Sequence, residues 1–119
     1  MTTFTPSEVS DRSGFSIDTL RYYEREGLLP GINRTAGGRR AYTQADLDWL
    51  GLVRCLRDTG MPIADLKRYT ELCADDSTME ERLDLLERHG DEVQASIDAL
   101  LRQQEQLREK IQWYRSQLT

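Results

Sequence analysis

Arginines cluster in a short N-terminal stretch of the sequence. Between residues 12 and 40 the chain carries six arginines against three acidic residues. The arginines are Arg12, Arg21, Arg25, Arg34, Arg39 and Arg40, and the acids are Asp18, Glu24 and Glu26. Guanidinium groups pair with DNA phosphates and bridge the acceptors of guanine in the major groove. Although the 119-residue chain has a net charge of −5, this stretch predicts a local surface for nucleic acid.

A predicted helix over residues 17–26 arranges part of this chemistry on one face. Ser16 precedes the helix as a cap residue, and Gly27 ends it. Leu20 and Tyr23 share the side that is expected to face the core. The outward side then carries hydroxyl and basic groups, from Ser16, Thr19, Arg21, Tyr22 and Arg25. This pattern is typical of a helix that enters a major groove, and taken alone it also fits an ordinary polar surface helix.

A small hairpin is predicted between residues 29 and 43, with two short strands around a Gly-Gly turn. The hairpin carries Arg34, Arg39 and Arg40. No acid offsets these arginines from Asn33 to Ala45, so we expect the hairpin to reach the DNA backbone beside the helix. Tyr42 has two interpretations: its hydroxyl donates to a phosphate, or its ring packs at the base of the hairpin.

The surrounding pattern is mostly helical. Thr5-Pro6-Ser7-Glu8 marks the start of a first helix, and Gly14 separates it from the helix described above. Two short helices joined by a turn that contains glycine form a helix-turn-helix. A third helix is predicted from Thr43 to Gly60, and Pro62 opens a fourth. Ser77 and Glu80 are predicted to cap a fifth helix.

The fifth helix carries a long apolar seam with steps of four and three residues. Its positions are Met79, Leu83, Leu86, Gly90, Val93, Ile97, Leu100, Gln104, Leu107, Ile111, Tyr114 and Leu118. Such a helix is about 60 Å long, so its own chain cannot cover the seam, and we expect pairing with a second copy or a partner. A solvated helix is not expected to hold this phase for so long. Gly90 and Gln104 are either tolerated imperfections or devices that set register or orientation.

These motifs together resemble the MerR family of transcription regulators. The resemblance is carried by Thr19-Leu20-Arg21-Tyr22-Tyr23-Glu24, Gly27-Leu28-Leu29-Pro30, Gly38-Arg39-Arg40-Ala41-Tyr42, Asp46-Leu47 and Gly60-Met61-Pro62-Ile63. It implies a mainly α fold: a winged helix-turn-helix with a small β-hairpin wing and connecting helices in residues 1–75, and an antiparallel coiled-coil dimerisation helix in residues 76–119. It also implies DNA contacts by Thr19, Arg21, Tyr22, Arg39, Arg40 and Tyr42. Arg39 departs from the family, whose wing often has an aromatic residue at this position.

The resemblance also implies how such a protein acts. The homodimer binds an inverted repeat in double-stranded promoter DNA and distorts an overlong spacer, and an effector changes the distortion so that RNA polymerase can start. We expect the chain to end directly after the heptads, without room for a multidrug-type ligand domain or a cysteine-bearing metal loop.

The nature of the effector is a separate question. Leu52–Met61 resembles the subgroup whose thiol responds to aldehydes, other electrophiles or nitrosative stress, which makes Cys55 the expected sensor thiol. Arg54 and Arg57 favour its thiolate, and Asp58 opposes it. The alternative is that Cys55 is a small buried residue. A metal shared across a dimer through Cys73, or no effector, are further alternatives. His89 lies outside the seam and is expected to be a solvated surface residue.

Several other classes of protein are disfavoured. No paired carboxylates, catalytic triad, phosphate-binding glycine loop or metal cluster is present, so we expect neither an enzyme nor a cofactor or a metal site within one chain. No membrane span or signal peptide is expected, and the two cysteines fit a reducing cytoplasm. The main alternative is a coiled-coil adapter that binds a protein partner. It predicts no salt-sensitive affinity for duplex DNA.

Overall fold

The computed structural model describes residues 2–29 and 31–118. Pro30, which closes the Gly27–Pro30 motif of the predicted DNA-binding region, lies outside the described residues. The chain forms two compact units, Met1–Leu83 and Asp84–Thr119. This boundary lies after the first turn of the long helix, whereas the sequence placed it between residues 75 and 76. No helix in the described ranges is long and apolar enough to span a membrane.

The first two helices form the predicted helix-turn-helix. Helix α1 (Pro6–Ser13) begins with a capping box in which Thr5 and Glu8 exchange backbone and side-chain hydrogen bonds. It ends at Gly14, whose φ of +79° is a left-handed conformation that favours glycine. Helix α2 (Ile17–Arg25) begins at Ser16, whose Oγ accepts a hydrogen bond from the Thr19 amide. The capping signals in the sequence therefore mark both helix starts.

The predicted hairpin is present and is joined by the N-terminal segment. Strands β1 (Asn33–Arg34) and β2 (Arg40–Ala41) pair antiparallel, with Asn33 opposite Ala41. Phe4 forms an additional antiparallel bridge with Tyr42, through hydrogen bonds of 2.8 and 3.0 Å in the two directions. The hairpin is therefore attached at its base to the chain segment that precedes α1. We refer to residues 33–41 as the wing.

Helices α3 (Gln44–Asp58) and α4 (Ile63–Cys73) complete the N-terminal unit. A capping box between Thr43 and Asp46 starts α3, as predicted. The indole Nε1 of Trp49 donates to the Leu28 carbonyl at 2.8 Å and so links α3 to the segment after α2. Buried core residues come from every helix of this unit: Val9, Phe15, Leu20, Tyr23, Leu28, Tyr42, Leu50, Val53, Leu56 and Leu66.

Helix α5 runs without interruption from Met79 to Leu118. Its predicted capping box is absent, because the Ser77 hydroxyl donates to the Asp75 carboxylate at 2.7 Å. The Thr78 carbonyl instead accepts the first hydrogen bond of the helix, from the Arg82 amide. The Arg82 guanidinium donates to the Asp75 carbonyl at 2.7 Å and thereby fixes the first turn to the loop before it.

The predicted seam of α5 is largely exposed in the single chain. Met79, Leu83, Ile97, Leu100, Leu107, Ile111, Tyr114 and Leu118 are exposed, and Leu86 and Val93 are half-buried. The expectation for His89 is wrong: this residue is only 8% exposed. Leu85 is buried four residues earlier, on the same helix face. A second, shorter buried face therefore lies beside the seam.

Candidate nucleic-acid interface

The outward face of α2 presents the residues that the sequence assigned to it. Arg21, Tyr22 and Arg25 are exposed, while Leu20 and Tyr23 are buried on the opposite side. At the N-terminus of α2 the Ser16 hydroxyl donates to the Thr19 hydroxyl at 2.9 Å. The two hydroxyls therefore form one small polar cluster where the helix dipole is positive. A helix end of this kind favours an anionic group.

An ion pair ties the wing to α2. The Nε of Arg40 donates to the Glu24 carboxylate at 2.6 Å, and both side chains are half-buried. Arg34 turns back within the wing, where its guanidinium donates to the Gly38 carbonyl at 3.0 Å. Arg39 is exposed. The structure therefore brings Arg40 onto α2, leaves Arg39 accessible and uses Arg34 to hold the turn.

Two of the three acidic residues on or just after α2 are matched by cations from other elements. Glu24 pairs with Arg40 of the wing, and Glu26 pairs with Lys67 of α4 at 2.9 Å. The bond to Lys67 lowers the pKa of Glu26 and raises that of Lys67. Within residues 2–29 and 31–118, no ion pair holds the cations Arg21, Arg25 and Arg39. We call these three residues the arginine surface. It is a net positive surface on a net negative chain.

A hollow of about 500 Å³ lies between the wing and the start of α1. Its walls are Thr3, Phe4, Thr5, Pro6, Ser7, Ile17, Thr35, Arg39, Arg40 and Ala41. Two wing arginines thus share a concave surface with the N-terminal end of α1 and the first residue of α2. Residues 3–7 were not among the residues predicted to form the interface. The capping motif at Thr5 could have drawn attention to this segment, but it was interpreted only as the start of a helix.

The structure corrects one of the DNA contacts that the resemblance implied, the contact of Tyr42. The residue is 1% exposed and is one of the largest fully buried side chains. Burial raises the pKa of its hydroxyl, and the nearby charge of Glu24 raises it further. The ring therefore packs at the base of the wing, as the alternative interpretation expected. A side chain that is buried in this way supports the hairpin and is not presented to a phosphate.

The candidate sensor thiol lies on α3 and is exposed. The alternative that Cys55 is a small buried residue is therefore wrong for this chain. Its neighbours Arg54 and Arg57 both form ion pairs with Asp58. Both guanidinium groups also lie over the Phe15 ring, at 5.6 and 4.9 Å from its centroid. These arginines brace α3 against the helix-turn-helix.

Metal-ligand side chains are scattered in the single chain. In the described part of the chain, no group of three or more His, Cys, Asp or Glu side chains is positioned to hold a metal ion. Cys73, the thiol considered for a shared metal, is half-buried. It forms a hydrogen bond with Tyr69, and burial together with this bond raises the pKa of the tyrosine.

Known proteins match this chain over most of its length. The MerR HTH family of regulatory proteins matches residues 4–73, and the MerR DNA-binding family matches residues 47–110. An uncharacterized HTH-type transcriptional regulator of Haemophilus influenzae is 41% identical over 113 residues, which cover 94% of this chain and 84% of that protein. The HTH-type transcriptional regulator AdhR of Bacillus subtilis is 38% identical over 77% of this chain and 64% of its own length.

Solved structures agree with these sequence matches. The crystal structure of HiNmlR, a MerR family regulator lacking the sensor domain, bound to promoter DNA, superposes with a TM-score of 0.90. It is 40% identical and covers 97% of this chain and 92% of that chain. A MerR family regulator from Bacillus thuringiensis gives a TM-score of 0.83 at 29% identity, over 92% of this chain and 97% of that one. The predicted fold class is confirmed. The chain belongs to the MerR family of HTH-type transcriptional regulators, which are DNA-binding regulators and not enzymes.

Proposed function

We propose that this protein binds double-stranded promoter DNA as a homodimer, with α2 in the major groove and the wing on the adjacent backbone. One observation carries the proposal: Glu24 and Glu26 are each matched by a cation from another element, which leaves Arg21, Arg25 and Arg39 to meet DNA. Paired acids do not repel phosphates as strongly as free ones do. The related regulator HiNmlR was crystallised with promoter DNA, which supports the same ligand here.

The part of the DNA that each residue is proposed to contact follows from the chemistry of its side chain. Arg21, Tyr22 and Arg25 on α2 are the residues for base edges and nearby phosphates, since arginine bridges two acceptors of guanine. Ser16 and Thr19 at the N-terminus of α2 are suited to a phosphate oxygen. Arg39 and Arg40 of the wing contact the backbone, with Arg40 positioned by Glu24. Arg34 acts indirectly, because it holds the turn that carries Arg39.

The homodimer is supported by the exposed seam of α5. Read from either end of the helix, the seam steps alternate in the same order, so two copies can pair antiparallel with every layer filled. This register places Met79 against Leu118, Leu83 against Tyr114, Leu86 against Ile111, Gly90 against Leu107, Val93 against Gln104 and Ile97 against Leu100. Each interruption of the seam then faces an aliphatic residue. Gly90 in particular leaves space for the side chain of Leu107 of the partner subunit.

Charge supports the antiparallel orientation. Residues 79–98 contain seven acidic and two basic residues, whereas residues 99–118 contain four basic and two acidic residues. With Met79 at heptad position d and Leu83 at position a, Glu80 and Glu87 both occupy position e, which flanks the seam. In the register above, Glu80 faces Arg115 of the partner subunit, and Glu87 faces Arg108 of the partner subunit. A parallel pair would instead place Lys110 beside the partner's Arg115. Antiparallel pairing therefore matches opposite charges and avoids a like-charge contact.

A twofold dimer of this kind has two reading helices related by symmetry. Its preferred DNA site is therefore an inverted repeat, with a half-site for each protomer. By its family membership we further propose that the bound dimer distorts the promoter spacer and thereby controls RNA polymerase.

The DNA-binding proposal is tested by titrating promoter DNA at several salt concentrations. Arg21→Ala and Arg39→Ala are expected to weaken binding, and removal of one phosphate-binding cation should reduce the slope of log K against log salt by about 0.9. Arg102→Ala removes the same charge from α5 and serves as the matched control. A wild-type protein whose affinity for duplex DNA is independent of salt contradicts the proposal and favours the adapter.

We also propose Cys55 as the effector site, with a reactive electrophile such as an aldehyde as the signal. The exposed thiol on α3 supports accessibility. Addition of the thiolate to an aldehyde forms a bond between sulfur and the carbonyl carbon, and the carbonyl oxygen takes up a proton. Cys55→Ala is expected to abolish the aldehyde response while DNA affinity is retained, with Cys73→Ala as the matched control. An unchanged response in Cys55→Ala contradicts this assignment.

A further inference from the structure

The hollow of about 500 Å³ between the wing and the start of α1 combines an apolar floor with a polar rim. The floor consists of four buried or half-buried side chains, from Phe4, Pro6, Ile17 and Ala41. The rim carries four exposed hydroxyl side chains and two arginines. No lining residue that the structure describes has a negative charge. A surface of this kind suits a ligand that is apolar on one side and anionic on the other.

We propose that this hollow binds the sugar-phosphate backbone of the DNA strand that runs between α2 and the wing. A deoxyribose lies on the apolar floor, and its phosphate lies against the rim. The inference rests on the proposed binding of promoter DNA by α2 and the wing. It goes beyond that proposal, because it makes residues 3–7 a third segment that contacts DNA.

The hollow is continuous with the proposed DNA surface on two sides. Ile17, which belongs to the floor, is the first residue of α2. It directly follows Ser16, whose hydroxyl is part of the polar cluster at this end of the helix. On the other side, Arg39 belongs both to the hollow and to the arginine surface. A DNA strand that contacts the N-terminal end of α2 and the wing therefore passes over the hollow.

Three hydroxyl groups on the rim have a proton to donate to a phosphate. Ser7 is exposed, and its hydroxyl has no hydrogen-bond partner among residues 2–29 and 31–118. The Thr5 hydroxyl oxygen accepts from the Glu8 amide at 3.2 Å, and the Thr35 hydroxyl oxygen accepts from the Arg39 amide at 3.3 Å. Because both oxygens act as acceptors, their protons are left for another group. Hydroxyl and guanidinium groups are common donors to the phosphate oxygens of DNA.

The charges around the hollow also favour an anion. Of the two arginines on the rim, Arg39 is the one without an ion pair in the described part of the chain. Glu8 and Asp18 each follow a lining residue but are not part of the lining, and the Glu8 carboxylate is held in the capping box of α1. A further cation lies beside the floor, since the guanidinium carbon of Arg12 is 4.7 Å from the centre of the Phe4 ring.

A negative charge placed on the rim tests the proposal. Ser7 is the second residue of α1, where an acidic side chain stabilises the helix, so Ser7→Glu is expected to keep or raise the melting temperature. In DNA titrations at low salt it is expected to lower the affinity about tenfold, which is the order of one hydrogen bond to a charged group. Ala95→Glu adds the same charge on the outer face of α5 and is expected to leave the affinity unchanged.

A second measurement tests the contact with a single phosphate. Ethylation neutralises individual phosphates of the promoter duplex and shows which of them support binding. For the wild-type protein, ethylation of the phosphate in the hollow is expected to weaken binding. For Ser7→Glu, ethylation of the same phosphate is expected to strengthen binding, because it removes the repulsion from the new carboxylate. Phosphates contacted by α2 should weaken binding in both proteins when they are ethylated.

The outcomes separate this inference from the proposed function. The inference is overturned if Ser7→Glu binds DNA as tightly as Ala95→Glu, or if ethylation gives the same pattern for Ser7→Glu and the wild type. In either case the salt-dependent binding of DNA by α2 and the wing still stands. A wild-type protein whose affinity for duplex DNA does not depend on salt overturns both the inference and the proposed function.

Discussion

Reversal of one charge on α5 tests both the orientation and the register of the proposed dimer. Glu87 occupies an exposed flanking position of the helix. In the antiparallel register it faces Arg108 of the partner subunit. Glu87→Arg therefore places two cations opposite each other, and by symmetry it does so at two places in the dimer. We expect weaker association without loss of helix, because arginine is as good a helix former as glutamate.

The size of the effect follows from the exposure of both side chains. An exposed ion pair contributes about 0.5 kcal/mol, so replacing attraction by a similar repulsion costs about 1 kcal/mol at each place. Two places give about 2 kcal/mol, which corresponds to a rise of about thirtyfold in the dimer Kd. The effect should shrink at high salt, because these charges are exposed to screening.

Sedimentation equilibrium at low salt measures this change. Arg108→Glu alone is expected to weaken the dimer to a similar extent, and the combined variant Glu87→Arg with Arg108→Glu should restore association. Glu109→Arg carries the same charge reversal on the outer face and serves as the control. A combined variant that associates as weakly as either single variant refutes the register. In a parallel dimer Glu87 would face Arg82 of the partner subunit, so Arg108→Glu could not rescue it.

Three further predictions concern the N-terminal unit. Gly14→Ala should destabilise the fold by about 3 kcal/mol in urea denaturation, from a strained positive φ and loss of the hydrogen bond from Arg54 to the Ser13 carbonyl, because the new Cβ would lie 2.0 Å from Arg54 Nη1. Gly51→Ala, where nothing lies within 4 Å, should not destabilise it in this way. Lys67→Met should weaken DNA binding a few-fold, because Glu26 loses its partner beside the arginine surface. Arg68→Met, which breaks the exposed pair with Glu71, is the control, and equal effects contradict the reasoning. Because the pKa of Tyr42 is raised in the folded protein, the unfolded chain loses the hydroxyl proton at a lower pH than the folded protein does. The free energy of unfolding that depends on this group is therefore fully present below about pH 10, and it should fall as the pH rises above that value. Tyr42→Phe should reduce that alkaline slope, and an unchanged slope would exclude Tyr42 as a contributor.

Local signals in the sequence predicted much of the fold. Helix starts at Thr5, Ser16 and Thr43 were marked by capping residues, whose preference depends on a few neighbouring amides. The core side of α2 followed from the spacing of Leu20 and Tyr23. These features depend on residues within one or two turns, which is the range over which a single sequence is informative.

Features that depend on distant residues were not predictable in this way. The bond from Arg54 to the Ser13 carbonyl joins residues 41 positions apart, and the pair of Arg40 with Glu24 joins residues 16 apart. For Tyr42 the sequence left two interpretations open, because the choice depends on the Phe4 bridge and the surrounding core. His89 was misassigned for a related reason: the seam describes one side of α5 and carries no information on the side that Leu85 shares.

The same distinction applies to the candidate site. Arginine types and their clustering indicated a surface for DNA, but the sequence could not show which cations are neutralised by acids. The structure pairs Arg40 and Lys67 with the two glutamates near the C-terminal end of α2. Because opposite charges meet across elements, formal charge along the sequence is a poor guide to the local electrostatic potential.

In the proposed antiparallel dimer, the two uninterrupted α5 helices form one long rod, with a DNA-binding unit preceding the first residue of each helix. The length of this rod would set the separation of the two DNA-binding units. One additional heptad would lengthen the rod by about 10 Å, which is about three base pairs of DNA. Half-site spacing and helix length are therefore coupled quantities, and a change in one of them requires a compensating change in the other.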